Sequence, residues 1–488
     1  MSFATYDFLL TFLPAAVLLA WLATWVSARY LLIPAILAAS IAFYAYSSIP
    51  HLILLLSLIG VTWLCGVAYA RFRPNALGDF ILSLGVLANL SALLVWKYSG
   101  SLVETWNTLG WIQVQPPGFI MPLGISFYAL QQIGYLLDLR RGRAQGRPLP
   151  DYTAFVLFFP QLLAGPIVTQ KRMMKEFDRV RAGIPFPDRV DLATLGLAWI
   201  TIGLFKKTVI ADSLARLTVP LITKASVGEL SLLEAWQIGL AGAPRIYFDF
   251  SGYSDMAVGI GLLFGVRLPA NFNAPFRPRS IREAWARWHI TFHHFVRDHV
   301  YRPLRNRLEG VPLGLPIVFF LIFAVSALWH GDSLQYIVWG LLIWVLFVAV
   351  DWLNMVLPRR LKPSADYISR VILTLLLPLI FMAPDLEVAL FIAARLVDPS
   401  GWATTLAAFS IEQGIVLVGL VALLVIMKRE IATQILLSGR VSHPERTFYG
   451  WRPPAWSPSL GWAIFLGVLM IVSFHFVGLS PPFFYFKF

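Results

Sequence analysis

Two long stretches near the start of the chain carry no charged side chain. Residues 8 to 28, FLLTFLPAAVLLAWLATWVSA, contain none. Nor do residues 30 to 70, where Ser-Ser-Ile-Pro-His at 47 to 51 is the one break. About 20 consecutive apolar residues cross the hydrocarbon core of a bilayer as a helix. A helix also satisfies its own backbone hydrogen bonds, as a membrane interior requires. The first run lacks the basic leader and the A-x-A-like cleavage site of a signal peptide, and is read as a retained helix. Further apolar runs lie near 80–96, 118–137, 153–169, 192–210, 231–248, 252–266, 313–329, 334–350, 369–383, 413–427 and 460–478. The expected fold is therefore all-α, a polytopic membrane helix bundle of roughly 11 to 13 membrane elements, re-entrant or interfacial helices included. Only 13% of residues are charged, against about 25% in soluble domains. No polar segment is long enough for a separate soluble domain, and no internal repeat is visible.

The net charge of +13 is explained by topology rather than by a nucleic-acid partner, because the basic residues sit in short loops. Arg29, then Arg71 and Arg73, then Arg140, Arg141, Arg143 and Arg147 fall on alternate loops, while 47–51 and 98–117 hold no Lys or Arg. The positive-inside rule places the N-terminus outside and the loop after residue 138 in the cytoplasm. Cys65 is the one cysteine, which excludes an intrachain disulfide and a Cys-rich metal site.

Polar residues inside a membrane are costly, so their positions are informative. In MPLGISFYALQQIGYLLDLRRG (121–142), Gln131, Gln132, Tyr135 and Asp138 break an apolar run. They suit either a site or a helix ending at an interfacial basic loop. In FFPQLLAGPIVTQKRMMKEF (158–177), Pro160, Gly165 and Pro166 interrupt a short apolar stretch. A re-entrant or broken segment lining a cavity is expected, since the freed backbone groups need partners. In YFDFSGYSDMAVGIGLLFG (247–265), Asp249, Ser251, Ser254 and Asp255 could position a ligand, although capping of the helix that follows is the simpler expectation.

Residues 267 to 307 hold nine arginines, no lysine and interleaved aromatics. The mixture suits a helix along the membrane interface. Arginine in place of lysine also fits phosphate recognition. Within this region RWHITFHHFVRDHVY (287–301) holds four of the eight histidines in the chain. His289 and His293 have the i, i+4 spacing of two imidazoles on one helical face, but Ile290 stands where an HExxH motif has Glu, and no metal is expected. His330 then ends the uncharged run 313–329; it is either buried in the bundle or at the membrane edge. A G-x-S-x-G elbow and the Walker and dinucleotide glycine motifs are absent from the sequence. A transporter, or a subunit with no chemistry of its own, stays open. The remaining chemical option is a histidine acting as general base near neutral pH.

Six stretches carry a resemblance: PLGISFYALQQIGYLLD, FFPQLLAGPIV, YFDFSGYSDMAVGIGLLFGVRLPANFNAPF, SIREAWARWHITFHHFVRDHVYRPL, LWHGDSLQYIVWG and the terminal PPFFYFKF. Together they resemble the membrane-bound O-acyltransferases, and within them the bacterial subunits that O-acetylate alginate. Relatives acetylate other surface polymers, and the teichoic acid D-alanyl transferases are more distant. The resemblance implies one domain over 1–488, with N-terminal membrane helices (1–115), a signature catalytic region (116–345) and C-terminal membrane helices (346–488). It implies a tunnel through the membrane and a multi-pass protein of the bacterial inner membrane.

The same resemblance implies His330, in LWHG, as the catalytic base and His289, in RWH, as the second histidine facing the tunnel, orienting the reactants or stabilising charge on the carbonyl oxygen. Tunnel-lining candidates are His293, Arg287, Trp288, Asp249, Ser251, Asp255, Trp329 and Gln161. The expected donor is acetyl-CoA or another acyl thioester, bound as substrate, with no tightly bound cofactor. Expected partners are membrane lipids, a polysaccharide acceptor and a periplasmic acetyltransferase protein. At His293, His294 and His299 the family usually carries other residues, and YRPLRNRLEG lacks its usual Gly-Gly turn.

Overall fold

The opening runs form helices that break where the sequence changes character. Leu13–Ala45 is interrupted at Ser27, whose backbone is extended (φ −163°, ψ 95°), two residues before Arg29. Ile49–Phe72 follows the polar break at 47–51. This computed structural model describes residues 2–72, 75–358, 361–398, 410–427 and 458–479; Arg73 and the terminal PPFFYFKF lie outside them. Every regular element among the described residues is a helix. Seven are long and apolar enough to cross a membrane: Asp7–Ala45, Ile49–Phe72, Ala76–Thr108, Phe186–Ser226, Leu334–Val356, Pro363–Met382 and Leu460–Val477. Two shorter apolar helices, Gly314–His330 and Ile411–Met427, accompany them. The other elements expected in the membrane are shorter or more polar, such as Ile125–Arg140 and Leu232–Leu263. The protein is thus a polytopic helical membrane protein.

The chain divides into two compact units, one from Met1–Thr201 with Tyr253–Ala270, the other from Ile202–Gly252 and the described residues from Asn271 onward. In the first unit the polar residues of 121–142 tie helices together. Gln132 Nε2 donates to Asn89 Oδ1 (3.2 Å), and Asn89 Nδ2 donates to Thr62 Oγ1 (2.9 Å). Gln131 Nε2 donates to the Phe155 carbonyl at 3.2 Å.

The expected break in 158–177 is present. Leu149–Leu157 stops at Phe158 (φ −49°, ψ 101°), and a four-residue turn of helix, Phe159–Leu162, restarts the chain. Protein packs around this irregular backbone, with Phe158, Phe159 and Ala164 fully buried. The Phe159 N–H donates to Ser40 Oγ (3.2 Å), and Phe159 lies in an aromatic cluster with Phe12 (5.4 Å) and Phe43 (5.1 Å). The need for partners is thus met by side chains, as membrane-depth irregularities require.

In the second unit, Gly314–His330 and Leu334–Val356 pack closely. A Cβ on Gly340 would lie 2.8 Å from the Phe323 carbonyl oxygen. The π-helical turn Phe205–Ala211 carries Lys206 and Lys207, both buried. Lys207 Nζ bridges Asp212 Oδ1 (2.5 Å) and Asp249 Oδ1 (2.7 Å). The capping expectation for 247–265 is corrected here: Asp249, Ser251, Ser254 and Asp255 all lie inside the continuous helix Leu232–Leu263. The uncapped helix interior has no free N–H for them, and Asp249 pairs with a lysine instead. The single interfacial helix expected over 267–307 is likewise replaced by short pieces, Ile281–Arg287, Ile290–Val296 and Arg302–Arg307, with a π turn at Arg297–Tyr301.

Candidate active site

RWH is a junction between helices rather than part of one. Ile281–Arg287 starts at Ser280, whose side chain accepts from the Glu283 N–H. The helix ends at Trp288, in extended conformation, and His289 turns into the left-handed region (φ 43°, ψ 53°) before Ile290–Val296 begins. A non-glycine residue seldom adopts that conformation, and such residues concentrate at functional sites. The cause is a neighbouring segment. The Asn271 carbonyl accepts from the Ile290 N–H (2.8 Å), and the Arg287 carbonyl accepts from the Asn273 N–H (3.1 Å). The Asn271 side chain completes the clasp. Its Oδ1 lies 3.1 Å from His289 Nδ1, 2.9 Å from Thr291 Oγ1 and 3.3 Å from the Thr291 nitrogen.

His289 is 3% exposed. Its ring meets Phe250 edge-on at 4.8 Å, stacks on Phe292 at 5.2 Å and touches Trp329 at 5.8 Å. It lies outside the seven spans, and burial pushes its imidazole down to about 3, so the ring is neutral at physiological pH.

His330 is the last residue of Gly314–His330 and is buried among side chains, as the bundle-interior alternative expects. Its ring contacts Trp329 (4.8 Å), Trp339 (5.0 Å), Phe381 (5.0 Å) and Phe292 (6.5 Å). Trp329 and Phe292 stack on each other at 4.4 Å. The two histidines are therefore joined by one aromatic pair that touches both. The glycine of LWHG has a steric reason, since a Cβ on Gly331 would fall 2.1 Å from the Tyr336 ring. Two buried imidazoles in an aromatic, water-poor setting can accept and donate protons without losing them to solvent.

The other expected residues divide. Trp329 bridges the histidines. Trp288, next to His289 in the chain, is edge-on to Phe272 at 5.2 Å and near Tyr247 at 5.9 Å. Arg287 Nη2 donates to Glu283 Oε1 at 2.7 Å. Ser251 is fully buried, and Asp249 belongs to the Lys207 cluster. His293 is half-buried, with the His294 ring 6.3 Å away, and burial together with His294 and Arg297 pushes its imidazole down. His294 is exposed, and His299 is half-buried against Phe295 at 4.8 Å.

Gln161 and Asp255 belong to the first unit. There Gln161 Nε2 donates to the Phe155 carbonyl (2.6 Å), closing the end of the broken helix, and Asp255 is buried. Sequence reasoning missed Asn271 and Lys207. Asn271 sits in the motif PANFNAPF, and Lys207 is half of a Lys-Lys pair inside an apolar run. A polar residue in such a setting was the available signal.

The model of the membrane-bound O-acyltransferase family matches residues 126–383, which include both histidines and Asn271. The peptidoglycan O-acetyltransferase of Helicobacter pylori is 36% identical over 62% of this chain, and the match spans 61% of that protein's length, less than two thirds. The probable alginate O-acetylase AlgI of Pseudomonas aeruginosa is 33% identical over 80% of this chain and 73% of its own length. The teichoic acid D-alanyltransferase of Bacillus subtilis is 28% identical over 56% of this chain and 68% of its own. By the family match and by the extent of these likenesses, the chain belongs to the membrane-bound O-acyltransferase family.

Proposed function

We propose that this chain moves an acetyl group from a cytoplasmic thioester, acetyl-CoA or a close equivalent, towards hydroxyls of a periplasmic polysaccharide such as alginate. Transfer is direct or passes through a periplasmic acetyltransferase partner. The observation that carries this reading is the pair of buried imidazoles, His289 and His330, set against one Trp329–Phe292 stack. Two of the relatives are named as O-acetylating enzymes, which favours acetyl as the group transferred. The reading places the protein in the bacterial inner membrane with its N-terminus outside.

In this reaction His330 Nε2 takes the proton of the acceptor hydroxyl as that oxygen attacks the thioester carbonyl. The tetrahedral intermediate collapses, the C–S bond breaks, and the thiolate leaves with the proton returned by His330. His289 acts on the reacting groups from the other end of the Trp329–Phe292 pair. The aromatic walls keep water from competing with the acceptor.

The test is His330→Ala in cells that make the polymer and in purified protein supplied with acetyl-CoA. General-base catalysis contributes about 10²–10⁴-fold. Acetylation and release of free CoA should therefore fall at least ~100-fold while the protein still inserts. Near-normal acetylation in that variant, with loss only on deletion of the whole chain, identifies a scaffold instead.

A further inference from the structure

One oxygen decides which proton His289 carries. Asn271 is 1% exposed, and its side-chain oxygen faces three groups: Thr291 N at 3.3 Å, Thr291 Oγ1 at 2.9 Å and His289 Nδ1 at 3.1 Å. A backbone N–H is a donor and nothing else. The Asn271 atom facing it must therefore be the carbonyl oxygen, because the amide nitrogen would set two donors against each other. That oxygen can only accept. His289 Nδ1, pointing at it, must carry a hydrogen. A neutral imidazole with its proton on Nδ1 has a bare lone pair on Nε2.

We infer that Asn271 is a positioning residue that holds His289 as its Nδ1–H tautomer, so that the ring offers Nε2 as a hydrogen-bond acceptor. The same residue holds the backbone of the turn through the Ile290 N–H, so ring orientation and tautomer are fixed together. The rings of Phe250, Phe292 and Trp329 pack on His289, and the contact with the Asn271 oxygen selects the tautomer.

The inference rests on the acyl-transfer reading and sharpens it. A bare Nε2 cannot donate a hydrogen bond to a developing oxyanion, which removes one of the two roles expected for His289. It can accept the O–H of a hydroxyl next to the attacking one on the acceptor sugar, which makes His289 a group that orients the acceptor while His330 takes the proton of the attacking hydroxyl.

The experiment has a spectroscopic and a kinetic arm. Full-length protein labelled with ¹⁵N-histidine is observed in detergent, with His289 assigned by the signals lost in His289→Gln. The expected pattern for His289 is a protonated, pyrrole-type Nδ1 and a pyridine-type Nε2; a protonated Nε2 overturns the inference. In the kinetic arm, Asn271→Leu removes the acceptor. It should lower kcat about 10- to 100-fold, the range seen when a group orienting a metal-bound histidine is lost, with little change in KM for acetyl-CoA. Asn271→Asp keeps the acceptor and adds a charge that stabilises the imidazolium. Protonation then removes the Nε2 lone pair at higher pH, so the His289 nitrogen signals should titrate at higher pH than in the unsubstituted protein. An unmoved His289 titration in folded Asn271→Asp protein overturns the positioning role. Absence of acetyl transfer by the unsubstituted protein counts against the acyl-transfer reading alone, since the nitrogen spectrum still reports the tautomer.

Discussion

Lys207 has 2% of its side chain exposed, and so has Asp212; Asp249 has 6%. Removing charges from water is expensive, and a buried pair is maintained only when its geometry and hydrogen bonds are good. Lys207 meets this condition by bridging both carboxylates, and Arg245 holds the same helix through Thr218 Oγ1 at 2.9 Å. Removing one partner of a buried ion pair costs about 3–5 kcal/mol. Lys207→Met should therefore destabilise strongly, because two carboxylates stay buried. Asp249→Asn should cost less, because the Lys207–Asp212 contact remains. Thermal unfolding of both variants in detergent checks the ranking, and equal midpoints would refute it. At this scale the sequence was only half legible. His330 and His289 were marked by short motifs, and Asp249 was marked by being polar in an apolar run. Lys207 carried the same mark, but the pairing of the two was not legible, because an ion pair between two helices depends on how their faces are turned. Asn271 was hidden for the same reason: its role comes from a turn at His289, which belongs to a different segment.

Elements were legible where one physical property repeats along the chain. Uncharged length found the long helices, and the Pro/Gly pattern located the break at Phe158. The region 267–307 misled because its composition suits an interfacial helix, whereas the clasp from 271–273 forces a left-handed turn at His289. Helix packing in the first unit had a quieter signal in glycine. A Cβ on Gly259 would lie 2.5 Å from the Gly196 carbonyl oxygen, and one on Gly196 would lie 2.8 Å from that of Gly259. The two backbones touch because neither residue has a side chain, as at small-residue contacts between membrane helices. Gly259→Val must push the backbones apart, and overpacking of this kind costs about 1–3 kcal/mol. Gly467→Ala, where the added carbon would meet nothing within 4 Å, is the control. The valine variant should unfold at clearly lower temperature in detergent and the control should not. Matching stabilities would show that the glycine contact is unimportant.

For the whole molecule, composition gave the class and the alternation of basic loops gave an orientation. Within the first unit some of that charge is locally offset. Arg140 pairs with Asp79 at 2.7 Å and Arg147 with Asp178 at 2.9 Å. This does not weaken the orientation argument, because the rule counts Lys and Arg near the ends of spans and acidic residues contribute little. Orientation matters to the proposed chemistry, since it decides which side supplies the thioester. The loop after residue 138 should face the cytoplasm, and 98–117 should face the periplasm. Gln115 and Gly146 are both exposed, and Cys65 is the one native thiol, so Cys65→Ser gives a clean background for single-cysteine labelling. A membrane-impermeant maleimide added to whole cells should modify Gln115→Cys, and should reach Gly146→Cys only after the inner membrane is opened. The reverse pattern would place the arginine-rich loop outside, and would require the acetyl donor to reach the histidines from a compartment that holds no CoA thioesters.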